Sequence, residues 1–171
     1  MTARPTHTSA ALRWFLLLGR LALAGVLLYA VYAKLDNPPG TVLSFDLFRY
    51  ELAIAAFGIA IAQYQVLPVS VTETVAYMVI GIELFLGLWL LLGIGLRWSA
   101  AAASALLGLF FVVMLRAYMK GLVIDCGCFG PGEILSAKTL TRDGALLALS
   151  LAVAMFAFRQ SRFRPSPPQH A

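Results

Sequence analysis

Residues Ile124 to Gly130 read Ile-Asp-Cys-Gly-Cys-Phe-Gly and hold both cysteines of the chain, Cys126 and Cys128, with one glycine between them. Two thiols at that spacing can exchange with a disulfide, or their thiolates can supply half of a tetrahedral metal site. A third reading is a tight turn that contains two small residues. A bridge between them needs Cα atoms about 4.4 to 6.8 Å apart, so the residue between must bend, and glycine permits the dihedrals required. Such a bridge should be strained, and strained, exposed bridges are the exchanging ones. It would close too short a loop to add much stability. Arg116 and Lys120 favour thiolate, while Asp125 opposes it, which leaves the direction of any thiol pKa shift open. The histidines, His7 and His170, lie in the two tails. A metal would therefore need thiols pooled from a second copy of the chain, and no metal site is expected within one copy.

The rest of the chain must position these thiols. It has 171 residues, 61% hydrophobic and only 12% charged, with a mean hydropathy of +0.85. Soluble domains carry about a quarter charged residues, so the solvent for most side chains here is lipid. The net charge of +5 does not indicate nucleic acid, because the basic residues sit in loops and tails rather than on one face. They suit anionic head groups instead. The fold class expected is all-α, an integral membrane four-helix bundle. Its spans fall at about 14–34, 71–94, 98–119 and 139–158, each near the roughly 20 residues that cross a bilayer. Residues 47–64 include the shorter apolar run Leu52 to Ala62, which suits an interfacial or re-entrant half-helix between spans 1 and 2.

One domain, 14–158, is flanked by disordered ends, 1–13 and the basic tail 159–171. Asn37-Pro38-Pro39-Gly40 should end the first helix. Arg4, Arg13 and Ala22-Leu23-Ala24 resemble a signal peptide, but the apolar run continues past Ala24 to spanning length, so retention is expected. With four spans both tails share a side with Arg97. Basic residues divide evenly between the sides, and the cluster Arg159, Arg162, Arg164 at a helix end decides for cytoplasmic tails in a bacterial plasma membrane. The thiol loop then faces an oxidising compartment.

Charges inside the membrane are the second source of candidate chemistry. Glu83 costs on the order of 2.5 to 3.5 kcal/mol at mid-span. From the span boundaries it lies ~12 Å from the cytoplasmic edge and Arg20 lies ~9 Å from it. An Arg20–Glu83 pair is therefore expected, either fixing helix register or serving a quinone, a proton or a transported solute. Lys34 is expected to snorkel. Thr141 or Asp143 can cap the last helix. Arg142 has no such structural reason and is a candidate to position a thiolate or a carboxylate. Asp125 and Phe129, beside the thiols, are candidate binding residues with Glu83, Arg20 and Lys34.

The block Gly121-Leu122-Val123-Ile124-Asp125-Cys126-Gly127-Cys128-Phe129-Gly130, followed by Arg142-Asp143, resembles the signature of the methylamine-utilisation protein MauE family, which is related to DoxX-like four-helix membrane proteins. Ala33-Lys34-Leu35, Tyr64-Gln65-Val66-Leu67-Pro68, Glu83-Leu84 with Gly87 and Gly93, and Arg97 extend the likeness over roughly residues 15–158. The resemblance implies maturation of an exported, disulfide-rich partner of the methylamine dehydrogenase small-subunit type, with a thioredoxin-like companion. Residue chemistry and resemblance together give Cys126 and Cys128 as a redox pair, which would make the chain a thiol–disulfide oxidoreductase. A single pair offers no internal relay, so its electrons pass to or from a partner protein or a quinone. A non-catalytic docking factor, a small transporter and a homo-oligomer are the rival expectations.

Overall fold

The computed structural model describes residues 10–36, 42, 46–129 and 132–162. Five helices run through them: α1 Ala10–Leu35, α2 Leu47–Gln63, α3 Val69–Leu92, α4 Leu96–Met119 and α5 Ala137–Arg162. The described residues contain no strand. Four helices, α1, α3, α4 and α5, are long and apolar enough to cross a membrane, and this is a multi-pass membrane protein. The intervening α2 rises about 25 Å at 1.5 Å per residue and begins at an Asp46 cap, whose carboxylate accepts the Phe48 N–H at 3.0 Å. It falls where the half-helix was expected.

Several boundaries differ from the sequence reading. The first helix starts at Ala10 rather than Trp14, and the last runs past Phe158, so Ala10–Arg13 and Arg159 belong to helices rather than tails. α3 stops at Leu92 because Gly93 adopts a left-handed conformation (φ 72°) and donates to the carbonyls of Trp89 and Leu90, a conformation glycine takes without steric cost. α5 begins before Thr141 and Asp143. Ser136 and Thr139 cap it instead, with the Ser136 N–H on Thr139 Oγ1 (2.9 Å) and the Thr139 N–H on Ser136 Oγ (3.4 Å), the reciprocal pattern of a capping box. Asn37-Pro38-Pro39-Gly40, Gly130 and the residues before 10 and after 162 lie outside the described residues.

α1 packs mainly on α3, and α4 mainly on α5. The two pairs meet through α1 and α5, whereas α3 and α4, although joined by a three-residue turn, touch sparsely. At the end of the bundle where α1 begins and α5 finishes, a core forms from Leu23, Leu27, Leu90, Ala100, Ala103 and Val153. Small residues let these helices approach closely, as membrane helices require where lipid removes the hydrophobic drive for association. Gly19 lies so close to α5 that a Cβ there would stand 2.6 Å from Val153 Cγ2. Ser99, Ser104 and Ser150 bond carbonyls of their own helices, so these three hydroxyls are satisfied without water. Gly58 brings α2 against the α3 backbone at Thr72 and Glu73.

Candidate functional site

The opposite end of the bundle is polar at its centre. Lys34 and Glu83 form a buried ion pair, with Nζ 3.0 Å from both carboxylate oxygens and both side chains almost fully enclosed. This corrects two expectations. Lys34 turns inward instead of snorkelling, and Glu83 does not meet Arg20. The Arg20 guanidinium lies against Gly93, where an added Cβ would overlap it, and its Nε has no hydrogen-bond partner among the described residues. Helical side chains lean toward their own N-terminus. On α1 that direction carries Arg20 away from Glu83 and brings Lys34 down to it. Gly93 and Glu83 are ten residues apart on α3, about 15 Å, which an arginine cannot cover from its observed position.

The third hydrogen of Lys34 reaches the Cys128 carbonyl at 2.9 Å. An ammonium has three donors, and here all three are used. Its charge also lies 5.1 Å from the Phe57 ring centre, a favourable cation–π distance. The thiol loop is thus tied to a charge in the middle of the bundle.

The loop itself is built from local bonds. Gly121, with φ 68°, ends α4, and the Leu122 N–H returns to the Ala117 carbonyl at 3.2 Å. Residues 124–126 then run antiparallel to 133–135, with Cys126 N–H on Glu133 O (2.8 Å) and Leu135 N–H on Ile124 O (2.9 Å). The Asp125 carboxylate accepts the N–H of Gly127 and that of Gly132, so this acid organises the turn. Gly127 sits at φ 64°, the left-handed region in which a side chain would be strained. Tyr64, at the end of α2, donates to the Cys126 carbonyl at 2.8 Å. Burial, ahead of the nearby thiols and carboxylates, pushes the Tyr64 phenol upward, keeping it a neutral donor.

The two thiols are unbridged, Cys126 buried and Cys128 half-buried. Cys126 Sγ lies 3.6 Å from Glu133 Oε2, and Cys128 Sγ lies 3.4 Å from Met114 Sδ. They differ electrostatically. The hydrogen bond from Cys128 holds the Cys126 thiol below its ordinary range, against burial and the Glu133 charge. The same contact, reinforced by burial, raises Cys128 well above the ordinary thiol. A dithiol whose two members ionise unequally is suited to exchange.

Arg142 holds the carboxylate beside Cys126. Its Nη1 bonds Glu133 at 2.6 and 2.9 Å, its Nε bonds Asp143 at 3.0 Å, and its guanidinium lies 4.3 Å over the Phe129 ring, which stacks on Tyr29. Phe129 is thus part of the loop's support. Arg116 and Lys120 are exposed; the cations that reach the loop are Lys34 and Arg142. Glu133 and Met114 were not singled out from sequence, and Tyr64 entered only as part of the family likeness, with no role. Glu133 left one signal, an acid nine residues before an otherwise unexplained arginine. Among the described residues no three His, Cys, Asp or Glu side chains converge as metal ligands.

Residues 12–157 match the sequence model of the family described as methylamine utilisation protein MauE. The chain belongs to the MauE family. The match spans four membrane helices, the half-helix and the thiol loop, so in this MauE-family chain the Cys-Gly-Cys segment is part of the family domain. No curated protein and no solved structure matches it.

Proposed function

We propose that this MauE-family chain is a membrane thiol–disulfide exchange protein that matures an exported, disulfide-containing partner, of the methylamine dehydrogenase small-subunit type, with a thioredoxin-like companion. The carrying observation is the clamped loop. Tyr64 and Lys34, from two different helices, hold the carbonyls of Cys126 and Cys128, while the two thiols are pushed in opposite directions. A docking surface would have no use for that asymmetry. In the exchange, one partner thiolate attacks the loop disulfide, a mixed disulfide forms, and the second partner thiol resolves it. Two electrons pass to the loop, which becomes a dithiol, and the reverse reaction balances equally. In this reading the tails are cytoplasmic, the membrane is the bacterial plasma membrane and the loop faces outward.

The test is trapping. In the reverse direction a loop thiolate attacks a partner disulfide and the second loop thiol resolves the adduct. Cys126→Ser or Cys128→Ser removes that second thiol, so either variant should accumulate a covalent adduct with an exported partner, cleaved by reductant and absent from the double variant. If both single variants support partner maturation without an adduct, the loop is a docking surface and the exchange reading fails. Membrane-impermeant alkylation of reduced, intact cells should modify the loop; labelling only after permeabilisation would reverse the orientation.

A further inference from the structure

The sparse contact between α3 and α4 leaves a cavity of about 300 Å³ at the thiol end of the bundle. Its walls come from α2, α3 and α4, chiefly Phe57, Val75, Val79, Phe110 and Val113, and both thiols line it. Leu109, 59% exposed, and Val66, 44% exposed, also line it. The cavity therefore has one exposed edge at Leu109 on the side of the spanning helix α4 and another at Val66 in the α2–α3 connection. Its size suits a ligand: an apolar pocket of about 150 Å³ already holds benzene, and small-molecule sites begin near 300 Å³.

We propose that this cavity admits a quinone from the bilayer, and that the quinone oxidises the Cys126–Cys128 dithiol. The chemistry of the walls selects the class. Among the described residues the one cation in the lining, Lys34, spends its three hydrogens on Glu83 and the Cys128 carbonyl, so it offers no free donor to an anionic ligand. Aromatic and branched apolar side chains suit a flat, neutral ring carrying an apolar tail. Among the lining residues, Cys126 and Cys128 can give up electrons as a pair. Together they hold two electrons and two protons, the amount that converts a quinone to a quinol. In the step two S–H bonds break and one S–S bond forms. The quinone carbonyls take the two protons and the two electrons, and the product leaves as quinol past the exposed edge at Leu109. The loop is then a disulfide ready to oxidise a partner dithiol, which sets the direction of exchange as oxidising. This inference rests on the exchange reading above and adds the electron acceptor to it.

The experiment uses the purified full chain in lipid nanodiscs, reduced and held without oxygen. Decylubiquinone should be reduced at one equivalent per chain while both thiols disappear. Val79→Trp and Val113→Trp, which fill the cavity from α3 and α4, should lower that rate at least tenfold. Adding Cys128→Ser to either, which leaves the Cys126 thiol to attack, should still give the partner adduct, which reports a folded, working loop. Independently of any variant, a photoreactive azidoquinone should label α3 or α4 beside the cavity, and excess decylubiquinone should suppress the labelling. Failure of decylubiquinone to oxidise the wild-type thiols, or labelling elsewhere, overturns the quinone while leaving the adduct intact. Absence of the adduct overturns the exchange reading beneath it. An unchanged rate in both tryptophan variants places quinone reduction outside this cavity.

Discussion

At the end of the bundle where α1 begins and α5 finishes, Leu23, Leu27, Leu90, Ala100, Ala103 and Val153 fill the space between four helices. At the other end the centre is a lysine, a glutamate, two thiols and a tyrosine, with a cavity beside them. The first region is held by many small, interchangeable contacts. The second is held by a few directional ones, each the sole partner of some buried group. Packed cores tolerate substitutions that keep volume and shape, whereas removing one half of a buried ion pair leaves an uncompensated charge. One end is therefore robust and chemically silent. The other is fragile, with room for a ligand.

The largest effect should come from splitting the ion pair. Glu83→Ala should cost about 3 to 5 kcal/mol, read as a lowered unfolding midpoint or lost abundance in detergent. Lys34→Met combined with Glu83→Leu should regain most of that, because two apolar side chains replace two charges. An Arg20→Gln background should give no rescue. If Arg20→Gln rescues Glu83→Ala and Lys34→Met does not, the pairing is wrong.

A smaller loss is expected at the packed end. Gly19→Ala places a methyl against Val153, a fully buried, β-branched side chain with little room to turn. Overpacking of this kind costs about 1 to 3 kcal/mol. The loop chemistry should be unaffected, so the mixed-disulfide adduct should form as before. A Gly19→Ala protein that folds normally but traps no partner would break the separation between the two ends.

The smallest effect concerns the two thiols. Cys126 has its thiol depressed by the hydrogen bond from Cys128, so it carries thiolate at pH values where an ordinary cysteine is protonated. Cys128→Ala removes that donor, and Cys126 ionisation should then move to higher pH. Its alkylation at neutral pH should slow severalfold, with little change at alkaline pH. Cys128→Ser keeps a hydroxyl donor and should fall between Cys128→Ala and the parent. Identical pH profiles in all three would show that the thiol contact has no electrostatic role.

Much of this was legible in the sequence. Four long apolar runs become the four spanning helices, because crossing hydrocarbon demands about 20 consecutive apolar residues and leaves little freedom in where they lie. The short run after Asp46 becomes α2, and the thiols fall in a loop with glycine between them. Composition and local pattern decide such features, since each depends on residues near one another in the chain. Helix ends were less legible: the caps at Gly93 and Ser136 depend on local hydrogen bonds that compete with the apolar pattern.

Only the tertiary structure decided who meets whom. Arg20 and Glu83 agree in charge and approximate depth, yet side-chain lean and helix offset give Glu83 to Lys34. Glu133 reaches Cys126 because the loop folds back on itself, and Arg142 then holds it from α5. Tyr64 arrives from α2, sixty-two positions away in the chain. The cavity has no sequence signature, for it is the space left where α3 and α4 diverge. Spans follow from solvent preference, residue by residue. Pairings and voids follow from the relative placement of whole helices, which no single stretch of sequence contains.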